Sequence, residues 1–330
     1  MPLLGRPFLA YQLALLREHG VTDIILACSY RVDDVRQALG DGRRLGVRLR
    51  YVIETEPLGT GGGVRNAADL ARGTVFVLNG DVLTDADLTA MRQFHETRRS
   101  RTTIFLMPVP DPRAFGLVEL DAEGRLTRFR EKPTADEPIT TNTINAGIYL
   151  IDSALLDRIP TDRPVSIERE FFPALITDGI AAYGWTGQAY WRDIGSTAAY
   201  REAQIDLLNG RVRSPLTPPG EWRDGSWIAP TARLARDARV VGPSQVGSGV
   251  EVGARARVGP LAVVGDGCRI AEDACLEGAI LWEGVSVGPG AVVRDCVIGA
   301  RAQVGAHARV GPGVALESGA VVPDHATFDR

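Results

Sequence analysis

Val246-Gly-Ser-Gly-Val-Glu-Val252-Gly-Ala-Arg-Ala-Arg-Val258-Gly-Pro-Leu-Ala-Val-Val264 places an aliphatic residue at every sixth position. The spacing extends both ways. Ile228, Leu234, Val240, Val246, Val252, Val258, Val264, Ile270, Leu276 and Trp282 are all apolar and six apart. The phase then slips by one to Val287 and Val293, slips again to Ile298, and holds through Val304, Val310, Leu316 and Val322. A hexad supplies one short side of a triangular coil. Its aliphatic residue points inward and small residues turn the corner. Three hexads close a coil, so residues 228–330 predict a β-helix of roughly six coils. A β-sandwich with regular strands would not hold the spacing for ten successive units.

Upstream the grammar differs. Thr22–Ser29, Arg48–Glu54, Thr74–Leu78 and Thr102–Val109 read as strands, and Val32–Leu39 and Gly63–Ala71 as helices. This alternation predicts a parallel α/β sheet over residues 1–208, with ligands beyond the carboxyl ends of its strands. Between the halves, 209–227 carries Pro215, Pro218 and Pro219 with Gly210, Gly220 and Gly225, and reads as a linker.

The chain has 330 residues, 45% of them hydrophobic and 24% charged, enough for full-sized cores. Its formal net charge of -4 argues against a nucleic-acid partner. No apolar run suits a membrane span, and Pro7–Leu16 reads as an amphipathic helix stopped at Gly20 rather than a signal segment. Cys28, Cys268, Cys275 and Cys296 form no CxxC pair, the pattern of reduced thiols in a cytoplasmic protein. His19, His95, His307 and His325 are too scattered for a zinc site.

Four segments carry candidate chemistry. Glu54–Gly63 follows a strand, and its glycines let backbone approach a ligand, although a plain connector fits too. Asn79-Gly-Asp81 closes the strand Thr74–Leu78, where a carboxylate suits Mg²⁺ and phosphate; a simple turn is the competing reading. Lys132 is the only lysine among 37 basic residues, so its position asks for a compact ammonium rather than a planar fork. Asp193, in Trp191-Arg-Asp-Ile-Gly195, gains interest as a second metal ligand beside Asp81.

Taken together, Glu56-Pro-Leu-Gly-Thr-Gly-Gly62, Asn79-Gly-Asp-Val-Leu83, Phe115-Gly116, Glu131-Lys-Pro133, Asn145-Ala-Gly-Ile-Tyr149, Ser166-Ile-Glu-Arg-Glu-Phe-Phe-Pro173 and Trp191-Arg-Asp-Ile-Gly195 resemble the sugar-nucleotidyltransferase (NDP-sugar pyrophosphorylase) family. The matches keep the family's order across nearly all of residues 1–205. The glycine run and the Ser166–Pro173 block resemble bacterial mannose-1-phosphate guanylyltransferases, and the hexads resemble the left-handed parallel β-helix. The resemblance implies an α/β, Rossmann-like nucleotidyltransferase domain that makes a nucleotide sugar, foremost GDP-mannose, from an NTP and a sugar 1-phosphate. It implies that Glu56, Gly59, Thr60 and Gly61 hold the base and that Asp81 and Asp193 bind Mg²⁺. It implies further that Lys132 takes the sugar phosphate, and that Gly116, Glu131, Asn145 and Glu168 read sugar hydroxyls. The chain opens at Met1-Pro-Leu-Leu-Gly-Arg-Pro-Phe8, similar to the segment just after the family's first strand and Gly-rich signature loop, so the expectation is a domain lacking both. Thymidylyl or uridylyl transfer to glucose 1-phosphate, a non-catalytic binder, and acyl transfer through His307 are the rival readings. A homo-oligomer joined through the β-helix is expected.

Overall fold

The computed structural model describes residues 1–329. Up to residue 208 the elements are β1 (Pro2–Leu3), β2 (Arg6–Pro7), α1 (Phe8–Glu18), β3 (Asp23–Cys28), α2 (Val32–Leu39), β4 (Arg48–Ile53), α3 (Gly59–Asn66), β5 (Thr74–Leu78), β6 (Val82–Thr84), α4 (Leu88–Thr97), β7 (Thr102–Pro108), β8 (Gly116–Leu120), β9 (Leu126–Glu131), β10 (Thr143–Asp152), α5 (Phe172–Thr177), β11 (Ala182–Thr186), β12 (Trp191–Asp193) and α6 (Thr197–Leu208). The chain divides into two compact units. One is Gln12–Trp191; the other joins Met1–Tyr11 to Arg192–Arg330. No helix among the described residues is long and apolar enough to cross a membrane.

The Gln12–Trp191 unit is an α/β domain built on the ten-residue β10. This strand runs antiparallel to β5, β7 and β8. The β8–β9 hairpin extends the sheet on one side and β11 pairs parallel with β7 on the other. β3 and β4 form a separate parallel pair. The wholly parallel sheet expected from the alternation is therefore corrected. The connection from β7 to β10 carries the β8–β9 hairpin and no crossover helix, and β10 returns antiparallel beside β7. The domain core gathers Ile104, Leu106, Phe129, Tyr149, Ile151 and Phe172, all nearly or fully buried.

A second correction concerns the glycine run. It is not a loop before a helix at 63–71; α3 starts at Gly59 and contains it. Glycine is a poor helix former, and tertiary packing overrides that here. The amides of Gly61 and Gly62 both donate to Val165 O (2.8 and 3.3 Å), seating the helix on the 165–168 segment.

In the other unit, three parallel ladders of six strands stack as a β-helix of six coils. Along one ladder Ile228, Val246, Val264, Leu281, Ile298 and Leu316 are successive partners. The hexad reading is corrected at one position. Leu281, not Trp282, takes the inward place, so the first slip comes one hexad earlier; Leu281 is 1% exposed. The last part of the expected linker is ordered too: Glu221–Arg223 pairs antiparallel with Ser226–Ile228 and lies against the first coil.

Helix α6 groups with the solenoid. Trp282 Nε1 donates to the Tyr200 hydroxyl (3.1 Å), Arg201 Nε donates to Gly278 O (2.9 Å), and the Arg201 guanidinium pairs with Asp295. Gln204 ties in β1 by accepting the Leu4 N–H (2.8 Å) and donating to Pro2 O (3.0 Å).

Candidate active site

Asn145 lies on β10, and the charges of Glu131, Glu168 and Asp81 are felt at Tyr149 in the middle of that strand. The β7–β10 register breaks between Asn145 and Tyr149, and Gly147 at the break has φ +72°. A Cβ there would meet the Asn79 side chain at 2.8 Å, so the position requires glycine. The bulge re-aims Asn145. Its Oδ1 accepts the Gly147 N–H (3.0 Å) and its Nδ2 donates to the Tyr149 hydroxyl (2.8 Å).

The same bulge anchors the loop after β5, because Asn79 N–H donates to Gly147 O (2.8 Å). From the other side Gln12 Nε2 donates to Asn79 O (2.8 Å) and Val82 O (2.9 Å). Asp81, exposed at the loop tip, is thus held on a braced backbone.

Tyr149 is fully buried, and burial pushes its phenol well above the ordinary value. The charge of Glu168 adds to this, then those of Glu131 and Asp81, while the Asn145 hydrogen bond opposes. Three carboxylates from three segments therefore act on one hydroxyl. Glu131 responds likewise. Burial raises its carboxyl, the Glu168 charge raises it further, and Lys132 and Arg169 pull it down. Glu131 lies opposite Gly116 in the β8–β9 ladder, where a Cβ on Gly116 would sit 2.5 Å from Glu131 Oε2.

Glu168 is 8% exposed. Its Oε2 accepts from Thr60 Oγ1 (2.7 Å) and Ser166 Oγ (2.8 Å). The Thr60 hydroxyl in turn accepts the Ile167 N–H (3.0 Å). Lys132 is exposed, holds φ +47°, and donates its amide to Phe115 O (3.2 Å). Phe115 packs edge-on against Trp191 at 5.5 Å between centroids, and Trp191 Nε1 donates to Ala146 O (2.8 Å). Glu56 and Gly59 are exposed, on the approach to α3 and at its first residue.

Sequence reasoning gave no role to Gln12, Ser166 or the Tyr149 hydroxyl. Gln12 had a signal, a polar residue within an otherwise apolar helix face. Asp193 belongs to the other compact unit, where its Oδ1 accepts the Gly195 N–H (2.6 Å). His307 and His325 are exposed at coil corners with rings stacked at 5.2 Å.

Comparison with known proteins matches residues 1–210 to the family described as nucleotidyl transferase, and residues 223–328 to the EIF2B subunit epsilon LbH domain. The chain is 41% identical over 289 residues to the mannose-1-phosphate guanylyltransferase of Mycobacterium tuberculosis, covering 87% of this chain and 74% of that protein. It is 28% identical over 298 residues to the UTP–glucose-1-phosphate uridylyltransferase of Synechocystis, covering 86% and 76%. Among solved structures, HddC from Yersinia pseudotuberculosis superposes with a TM-score of 0.54 at 26% identity, over 63% of this chain and 88% of HddC.

Proposed function

The chain belongs to the nucleotidyl transferase family, and on that footing we propose that it joins GTP to mannose 1-phosphate, giving GDP-mannose and pyrophosphate. The observation that supports the site is the nearly buried Glu168 carboxylate, held by the Thr60 and Ser166 hydroxyls, whose charge is felt at the Tyr149 hydroxyl with those of Glu131 and Asp81. Carboxylates accept sugar hydroxyls well, and a sugar phosphate brings its own anionic nucleophile, so no general base is required. Catalysis then rests on positioning and on neutralising charge.

Glu131, Glu168 and Asn145 face the sugar, with Gly116 leaving room beside Glu131. Lys132 meets the sugar phosphate with a point charge. Its backbone bond to Phe115 fixes the stem while the ammonium stays in solvent reach. Glu56, Gly59, Thr60 and Gly61 stand on the nucleotide side. Guanine presents N–H donors that a Glu56 carboxylate accepts.

Enzymes of this family use a divalent metal, and the donor chemistry here suits Mg²⁺. Asp81 offers hard carboxylate oxygens on its braced loop, and Asp193, which belongs to the other compact unit, offers the same donor chemistry. Mg²⁺ typically takes one or two carboxylates and completes its shell with substrate phosphates and water. Bound at Asp81, it would neutralise phosphate charge as the pyrophosphate leaves.

The likeness to a uridylyltransferase favours a second reading, UTP with glucose 1-phosphate. Incubating the purified protein with each NTP and each sugar 1-phosphate, and measuring pyrophosphate, separates the two. Fastest release with GTP and mannose 1-phosphate is expected. Release confined to UTP and glucose 1-phosphate would replace the first reading with the second.

A further inference from the structure

We propose that Thr60 is a positioning residue for Glu168, and so governs the sugar side of the site although it sits in the glycine run of the nucleotide side. The inference rests on the transferase reading for the identity of its ligand. A threonine hydroxyl has one proton and two lone pairs. The proton goes to Glu168 Oε2 (2.7 Å) and one lone pair takes the Ile167 N–H (3.0 Å). No proton remains for an acceptor on a base.

Ser166 Oγ donates to the same Oε2 (2.8 Å) and accepts the Arg169 N–H (3.1 Å). Glu168 is therefore gripped through one oxygen by two hydroxyls, each itself fixed by a backbone amide. Its Oε1 receives no hydrogen bond from the described residues. That oxygen is the one free to accept a ligand hydroxyl, and the Glu168 charge is felt at the Glu131 carboxylate. A carboxylate fixed through one oxygen, with its other oxygen open, suits a sugar hydroxyl.

The geometry also explains why a threonine stands among glycines. Gly61 and Gly62 bind Val165 O through their amides. The Thr60 hydroxyl adds the side-chain contact that fixes the register between α3 and the segment bearing Glu168.

The test compares Thr60→Val, which keeps the shape and loses the hydroxyl, with Thr60→Ser, which keeps the hydroxyl. Thr60→Val should raise the KM for mannose 1-phosphate, and its Kd by calorimetry, about tenfold. The KM for GTP should stay within about twofold. Thr60→Ser should restore most of the loss. A Thr60→Val enzyme that loses GTP affinity while keeping its sugar-phosphate affinity overturns the inference, as does one with both constants unchanged. A wild-type protein that binds mannose 1-phosphate without turnover would remove the transferase reading. The calorimetric comparison would then still decide the role of Thr60. Wild-type protein that binds no sugar phosphate overturns both.

Discussion

The charge chemistry proposed for the site rests on Asp81, Lys132 and Glu131, and each makes a separable prediction. Asp81→Asn and Asp193→Asn should each lower Mg²⁺-dependent turnover by at least about a hundredfold, because each removes a carboxylate assigned to the metal. Circular dichroism and Tm should match the wild type; a variant that keeps its turnover loses its place at the metal. Lys132→Arg keeps the charge but replaces a compact ammonium with a wide fork. A rise of about tenfold in the KM for sugar phosphate is expected, and unchanged kinetics would make the lone lysine an accident of composition. For Glu131 the sign can be worked out. A carboxyl raised by folding binds more protons folded than unfolded, so it costs stability as pH climbs above its unfolded value. That window opens near the ordinary carboxylate pKa of about 4.3 and runs upward. Glu131→Gln should therefore raise Tm at pH 7 while weakening sugar-phosphate binding, and the gain should shrink towards pH 4. A gain equal at both pH values would deny the cause given. At this scale residue types were legible in sequence, whereas their partners were not. Thr60 and Glu168 are 108 positions apart, and no spacing rule connects them.

Leu281 and Trp282 show what one residue of register decides at the scale of an element. By hexad counting Trp282 faces the core; in the coil Leu281 does, and the Trp282 indole reaches Tyr200 on α6. The count fails because the turn after Leu276 is one residue shorter than a hexad allows, as is the turn after Val293. Both shortened turns lie where Arg201 meets Gly278 and Asp295. Leu281→Ala should cost about 2–5 kcal/mol, the range for emptying a buried aliphatic site. Trp282→Phe should cost only about 1 kcal/mol, the net worth of one hydrogen bond. Urea unfolding of both variants checks the ranking, and a reversed order would return Trp282 to the core. In the first domain the same scale explains the misread glycine run and sheet direction. Helix propensity and strand alternation are local signals. The seat offered by Val165 and the helix-free path between β7 and β10 are not.

At the scale of the whole molecule, the family match over 1–210 and the compact units part company. Tyr200, Ala203 and Gln204 of α6 are buried in the unit that contains the solenoid, along with Leu3 and Leu4. A protein cut after residue 210 would keep the matched region yet expose that apolar face, and would lose the bonds of Tyr200 to Trp282 and of Arg201 to Gly278. Such a truncation should be poorly soluble and melt well below the full chain; equal Tm by calorimetry would show that α6 needs no solenoid. Sequence alone determined the solenoid, its number of coils and the family, because a six-residue period and an ordered set of short motifs are written in neighbouring residues and survive without knowledge of contacts. Tertiary structure decided the antiparallel sheet around β10, the bulge that aims Asn145, the grip of Thr60 and Ser166 on Glu168, and the alliance of α6 with the coils. Each of these is a contact between residues distant in the chain, and its free energy exists only once burial has brought them together.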